Sequence, residues 1–287
     1  MSVGLAIREA AEALEGKSDT ARLDAELLMA HLLGVTRSDL LMRHMGDEVS
    51  EGYARLIMRR MRGEPVAYII GTQDFYGHTL RVTPDVLIPR GDSEALVVAA
   101  LAARPDARRV LDCGTGSGAL LLAVLADLPG AEGVGIDSSP AALAVAQGNA
   151  ETLGLAGRVT MILADWHQPG WAEELGQFDL ILANPPYVEE AAELDASVRD
   201  HEPASALFSG PEGLDDYRVL VPQLSGLLVP GGAALVEIGY QQAEPVGTIA
   251  QAAGLSVTLH RDLAGRPRVL EMVHCETISL GNAGAAA

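Results

Sequence analysis

Residues Val110-Leu111-Asp112 form a short apolar run that breaks at once into Cys113-Gly114-Thr115-Gly116-Ser117-Gly118, and Ala119-Leu120-Leu121-Leu122 follows. Three alternating glycines between a strand-like and a helix-like segment predict a tight strand-to-helix turn. Backbone without side chains can approach a ligand closely at such a turn. A junction of this kind belongs to a sheet with helical crossovers, and the downstream pattern agrees. A helix is expected over 92–103, strands at 110–112, 133–137, 159–164 and 178–183, and helices after Gly118 and from Pro140. A helix over 215–228 and strands at 233–238, 255–260 and 268–273 complete the series. Short apolar strands alternating with helices imply an α/β fold with a mostly parallel, doubly wound sheet. Ligands in such sheets bind beyond the carboxyl ends of the strands.

Ahead of this domain, Ser2 to about Arg62 reads as helical. Leu23, Leu27, Leu28 and Leu32 fall on one face, and Gly16, Gly34, Gly46 and Gly63 punctuate about four elements. Between Pro65 and Arg90, the segments Ala67-Tyr68-Ile69-Ile70, Phe75-Tyr76-Gly77-His78 and Leu80-Arg81-Val82 read as a β-hairpin turning near Gly77. The expected organisation is a helical bundle over 1–64, a hairpin linker over 65–90, the α/β domain over 91–276 and a fraying tail over 277–287.

Charge narrows the partners. Twenty Lys and Arg against 39 Asp and Glu leave a formal net charge of −19 over 287 residues, which disfavours a surface that grips phosphate backbones. The two cysteines, Cys113 and Cys275, suit a reducing compartment. Met1-Ser2-Val3-Gly4-Leu5 does not read as a signal peptide, and the apolar run 95–103 is too short to span a bilayer. The expectation is a cytoplasmic monomer with no membrane or direct nucleic-acid contact.

Gly114, Thr115, Gly116, Ser117 and Gly118 read as a cofactor seat, against the plainer reading of a tight turn without a ligand. Gly114, Gly116 and Ala119 also satisfy a dinucleotide fingerprint, so the loop alone leaves NAD open. Asp137 ends the second strand, where a carboxylate can accept both ribose hydroxyls, or cap the helix beginning near Pro140. Asp165 and Trp166 end the third, where an acid beside an indole can bond an adenine amine and cover its ring; a core tryptophan is the alternative.

Asn184-Pro185-Pro186-Tyr187 follows the apolar strand Leu180-Ile181-Leu182-Ala183 and so lies on the same sheet edge as the glycine loop. Adjacent prolines stiffen the backbone and remove two N–H donors, leaving carbonyls free to accept. The Asn184 side-chain oxygen and the Pro185 carbonyl can each take one hydrogen of an –NH₂ group, with Tyr187 against its planar part. Amide nitrogens are weak nucleophiles; acceptors around their hydrogens stabilise charge developing during attack on a sulfonium methyl, as in S-adenosylmethionine. A rigid turn is the plainer alternative. No Ser-His-Asp arrangement or metal-ligand cluster is read, and the seven histidines are taken as surface or core residues.

These residues resemble the peptide-chain release factor glutamine methyltransferases, class I enzymes that use S-adenosylmethionine. The resemblance rests on Asn184-Pro185-Pro186-Tyr187, Asp112 to Gly118, Gly63-Glu64-Pro65-Val66, Ile88-Pro89-Arg90-Gly91-Asp92-Ser93-Glu94 and Arg22 to Leu28. It implies methylation of the side-chain amide nitrogen of a Gly-Gly-Gln glutamine in a bacterial release factor. It also implies cofactor contacts from Gly114 to Gly118, Asp137, Trp166 and Asn184, substrate held by Asn184 to Tyr187, and recognition by the N-terminal bundle. Gly91, where the family usually has proline, and Pro267 depart from the pattern. The competing functions are a ribosomal-protein glutamine methyltransferase, an adenine-amine DNA methyltransferase, an NAD-dependent oxidoreductase and a nucleotide-binding adaptor.

Overall fold

The computed structural model describes residues 1–275; the expected fraying tail lies outside them. Helices α1 (Val3–Leu14), α2 (Ala21–Leu33), α3 (Arg37–Asp39) and α4 (Tyr53–Met61) build the N-terminal bundle, with a π-helical turn over Leu40–His44. In α1, Val3, Ile7, Ala10 and Leu14 recur at three- and four-residue spacing and are buried.

The expected leucine stripe of α2 is only partly inward. Leu28 is fully buried, Leu27 and Leu32 are half-buried and Leu23 is exposed. The inward face instead carries Asp24 and Glu26. Asp24 accepts from Arg60 Nε at 2.6 Å, and Glu26 accepts from Arg22 Nε at 2.6 Å and Arg37 Nε at 2.8 Å. Buried carboxylates are tolerated because guanidinium partners replace lost hydration.

A second difference lies at 67–70. The apolar run expected as a hairpin strand forms helix α5 (Val66–Ile70). Pro65 O accepts from Tyr68 N and Ile69 N, and Gly71, at φ 86°, closes the turn. Tertiary packing overrides strand propensity here. Ile69 enters the bundle core, while Ala67 and Tyr68 pack with Val82, Val86 and Ile88. The hairpin is shorter, β1 (Thr72–Phe75) and β2 (His78–Arg81), turning through Tyr76 and Gly77, both at positive φ.

The α/β domain contains α6 (Glu94–Ala103), β3 (Arg109–Cys113), α7 (Ala119–Asp127), β4 (Glu132–Asp137), α8 (Pro140–Thr152), β5 (Val159–Leu163) and β6 (Phe178–Ala183). It continues with α9 (Ala196–Arg199), α10 (Asp215–Leu227), β7 (Leu228–Glu237), α11 (Ala243–Ala252), β8 (Leu255–Arg261) and β9 (Pro267–His274). Its seven-stranded sheet has the order β5-β4-β3-β6-β7-β9-β8, and β9 alone runs against the others. Alternate residues of the central strands feed two cores. Val110, Leu180 and Leu182 face α6 and α7, while Leu111, Ile181 and Ala183 face α10 and α11. From β3 the chain winds outward through β4 and β5, then returns to place β6 on the other side of β3. The crevice at that reversal is the fold's natural ligand position.

Candidate active site

Strand register brings the two sequence motifs together. Cys113, the last residue of β3, pairs with Ala183, the last of β6, so Gly114 and Asn184 leave adjacent strand ends side by side. Cys113 also pairs with Ile136, which places Asp137 on the same edge. A cavity of about 530 Å³ opens there, lined by Gly114 to Ser117, Asp137, Asp165, Trp166, Asn184 and Pro186. Gly118, Pro185 and Tyr187 do not line it. Gly118, at φ 82°, starts α7.

The glycine loop is held by backbone donors from its own neighbourhood. Gly114 N and Thr115 N donate to Ile136 O at 2.9 and 2.8 Å, and Gly116 N donates to Asp137 Oδ2 at 2.9 Å. Asp137 Oδ1 accepts Ser139 N at 2.9 Å. Ser139, not Asp137, caps α8, its hydroxyl accepting Ala142 N at 3.2 Å. The Asp137 carboxylate faces the cavity with lone pairs to spare, and burial pushes its pKa up. Thr115 Oγ1 donates to Asp112 Oδ2 at 2.7 Å, while the buried Asp112 Oδ1 has no partner; burial pushes this carboxyl up to about 7.

Trp166 stands over the loop. A Cβ on Gly114 would lie 3.1 Å from its Cη2, a tight contact that adds to the strain a side chain would meet at a φ of 75°. Its indole N–H donates to Asp216 at 3.0 Å. Asp165 turns its carboxylate to His167, accepting the backbone N–H at 2.9 Å, which holds its pKa down.

The tetrad is braced from behind. Tyr187 N and Val188 N donate to Leu207 O at 3.2 and 2.8 Å, and Gln242 Nε2 donates to Tyr187 O at 3.1 Å. The Tyr187 ring packs on the α10–α11 side of the core, where burial and the Glu237 carboxylate push its hydroxyl up to about 12. Glu237 ends β7, whose Val236 pairs with Ala183. It is buried with Oε2 unpartnered, and burial pushes it up to about 7 against the pull of Ser93 and Arg268.

The sequence reading missed several residues that complete the cavity. Asp216, His167, Arg90 and Ser93 line it, so His167 is a surface residue, as expected of it, that also stands at the cavity. Glu202 is buried and clasps the wall, accepting Ile88 N at 3.1 Å and Arg90 Nη2 at 2.5 Å. The Ile88 to Glu94 run signals part of this clasp. Its partner is 112 residues away, with no local pattern to mark it. Among the described residues, no group of three or more His, Cys, Asp or Glu is placed to hold a metal, and no helix is long and apolar enough to cross a membrane.

Comparison with known proteins agrees with this geometry. Residues 6–71 match the PrmC N-terminal domain family, and residues 105–237 match a methyltransferase domain family. The release factor glutamine methyltransferase of Bradyrhizobium diazoefficiens is 41% identical over 273 residues, covering 91% of each chain. That of Moorella thermoacetica is 42% identical over 277 residues, covering 93% of this chain and 95% of its own. Among solved structures, the hMettl16 catalytic domain in complex with MAT2A 3′UTR hairpin 6 aligns with a TM-score of 0.52 at 14% identity, covering 70% of this chain and 77% of that one, a likeness of fold alone. With a matching N-terminal domain, a methyltransferase domain and relatives similar over nearly their whole length, the chain is a methyltransferase and belongs to the release factor glutamine methyltransferase family.

Proposed function

We propose that this chain transfers a methyl group from S-adenosylmethionine to the side-chain amide nitrogen of the Gly-Gly-Gln glutamine in bacterial peptide-chain release factors. The observation that carries this reading is the pairing of Cys113 with Ala183, which sets a glycine-loop seat and an amide-acceptor platform at one crevice.

The residues present fit S-adenosylmethionine. Gly114 to Ser117 leave the backbone bare, with open space where a Gly116 Cβ would stand. Asp137 suits ribose hydroxyls, and Asp165 with Trp166 suits an adenine ring. When bound, this cofactor supplies a methyl group activated on a sulfonium sulfur. The chain's own part is to orient the acceptor. Asn184 Oδ1 and the Pro185 carbonyl take the two amide hydrogens, polarising the nitrogen and stabilising the charge it gains. Pro185 and Pro186 hold these acceptors without donors of their own, so the platform attracts an –NH₂ group. The clasp of Glu202 on Ile88 and Arg90 fixes the part of the wall that Arg90 contributes. The N-terminal bundle recognises the protein substrate, and His201, next to Glu202, lies against Gly63 at that bundle's end.

The test uses labelled S-adenosylmethionine with purified release factor, a large-subunit ribosomal protein and duplex DNA in separate reactions. Label is expected on the release-factor glutamine. Label on the ribosomal protein or DNA with none on release factor overturns the substrate assignment.

A further inference from the structure

The aromatic wall of the cofactor side and the acceptor platform meet at a side chain that belongs to neither sequence motif. Asp216, in the first turn of α10, is buried and lines the cavity. Its carboxylate serves two elements: Oδ1 accepts the Trp166 indole N–H at 3.0 Å, and Oδ2 accepts the Ser209 hydroxyl at 2.7 Å. Ser209 Oγ accepts the Asp216 backbone N–H at 2.8 Å, and Ser209 N donates to Val188 O at 2.9 Å. Val188 directly follows the tetrad and pairs with Phe208 in a short parallel bridge.

A continuous path therefore runs from Gly114 through the overlying Trp166, Asp216 and Ser209 to the backbone carrying Asn184. Ser209 is buried but does not line the cavity, so it reaches a bound molecule only through its neighbours. With both oxygens of one buried carboxylate committed to different elements, a shift of the indole cannot leave the Ser209 segment undisturbed. His167 Nε2, 3.5 Å from Asp216 Oδ1, is a further, more exposed neighbour.

We propose that Asp216 and Ser209 are positioning residues that join the Trp166 wall to the tetrad, so that a filled cofactor side raises the affinity of the acceptor side for its protein substrate. Linkage requires the reverse effect to be equal. This inference rests on the cofactor and substrate named under Proposed function.

The experiment measures, with the full chain, the Kd of S-adenosylhomocysteine by calorimetry with and without saturating release factor. The ratio of the two is the coupling. The wild type is expected to show a ratio of about tenfold, within the ordinary range for coupled sites. Ser209→Ala removes both hydrogen bonds between its hydroxyl and Asp216, Trp166→Phe removes the indole bond, and each is expected to reduce the ratio to about twofold or less. The double variant should lose no more than either single one, since the links lie in series. Ser209→Thr, which keeps the hydroxyl, should restore the coupling; if Ser209→Ala does not fold, Trp166→Phe and Ser209→Thr decide. A wild type that binds neither S-adenosylhomocysteine nor release factor breaks the functional reading itself. A wild type that binds both with a ratio of one, or a ratio that survives Ser209→Ala or Trp166→Phe, overturns the coupling and leaves the functional reading standing.

Discussion

The two halves of the cavity are built in opposite ways. On the cofactor side, the loop's own hydrogen bonds end on its own strand and the next one: Gly114 N and Thr115 N reach Ile136 O, Gly116 N reaches Asp137, and Thr115 Oγ1 reaches Asp112. On the acceptor side, Leu207 O is about as near in sequence to Tyr187 as Ile136 is to Gly114, and the further bracing comes from distant chain. Gln242 holds the Tyr187 carbonyl across 55 residues, and Glu202 holds Arg90 across 112. A local loop depends on a few glycines, whereas a platform braced at long range depends on the packing of the whole domain. Substitutions in the two halves should therefore fail differently.

The largest expected effect is at the platform. Asn184→Ala removes one amide acceptor while leaving β6 and its register intact, and kcat should fall by about 10²–10³, the usual loss for one preorganised polar group. Cofactor Kd should move far less than kcat; full turnover in Asn184→Ala breaks the platform argument. Next in size is Gly114→Ala. A non-glycine residue at the observed φ of 75° costs roughly 1–2 kcal/mol, and the new Cβ also meets Trp166. Cofactor Kd should rise about tenfold or more, with release-factor KM moving less because the new Cβ meets Trp166 and not the tetrad. Equal shifts in both would erase the contrast between the halves.

The same contrast explains what could be read from the sequence. Gly114 to Ser117, Asn184 and Pro186 were legible as cavity positions because they sit within a few residues of a strand end, where glycine and proline leave a visible signature; Gly118, Pro185 and Tyr187, read with them, do not line the cavity. Phe178 to Ala183 was legible to the residue because its apolar run is bounded at both ends. Asp216 and Glu202 were not legible, since an isolated acid acquires its role only when folding brings Trp166, Ser209, Ile88 and Arg90 to it. The misread segment 67–70 follows the same rule. Four apolar residues fit a strand or a buried helical turn, and the choice was made by the bundle core that receives Ile69. On α2, a leucine count pointed to a stripe that is only partly inward, because Arg60, Arg22 and Arg37 allow two carboxylates to face inward as well.

Glu202→Gln tests the long-range bracing at intermediate size. The amide keeps an acceptor for Ile88 N but loses the charge that holds Arg90, whose side chain is 39% exposed and therefore partly screened. A stability loss of about 1 kcal/mol is expected, or roughly 2–4 °C in Tm for a domain of this size. Release-factor KM should rise several-fold, with kcat at saturation little changed. A Tm loss with an unchanged KM would reduce Glu202 to a structural tie.

The smallest effect on turnover, though not on stability, concerns Glu237, at the end of β7 behind the tetrad. Its carboxyl is raised from an ordinary value of 4.5 to about 7, chiefly by burial, so the folded protein binds this proton more tightly than the unfolded chain. The stability it contributes is present below pH 4.5 and is lost as pH rises toward about 7, after which the loss is constant. Glu237→Gln removes this titration while keeping the side-chain shape. Urea midpoints at pH 5, 6, 7 and 8 should show the variant gaining on the wild type by up to about 1 kcal/mol per pH unit below 7 and holding that gain above it. A residual slope of the same sign should remain in the variant, because burial also raises Asp112 to about 7 on the cofactor side. If the variant and wild type keep a constant difference across this range, Glu237 ionises freely in the folded state. The acceptor half would then rest on a buried carboxylate that stays charged across this range, held by Arg268 and Ser93.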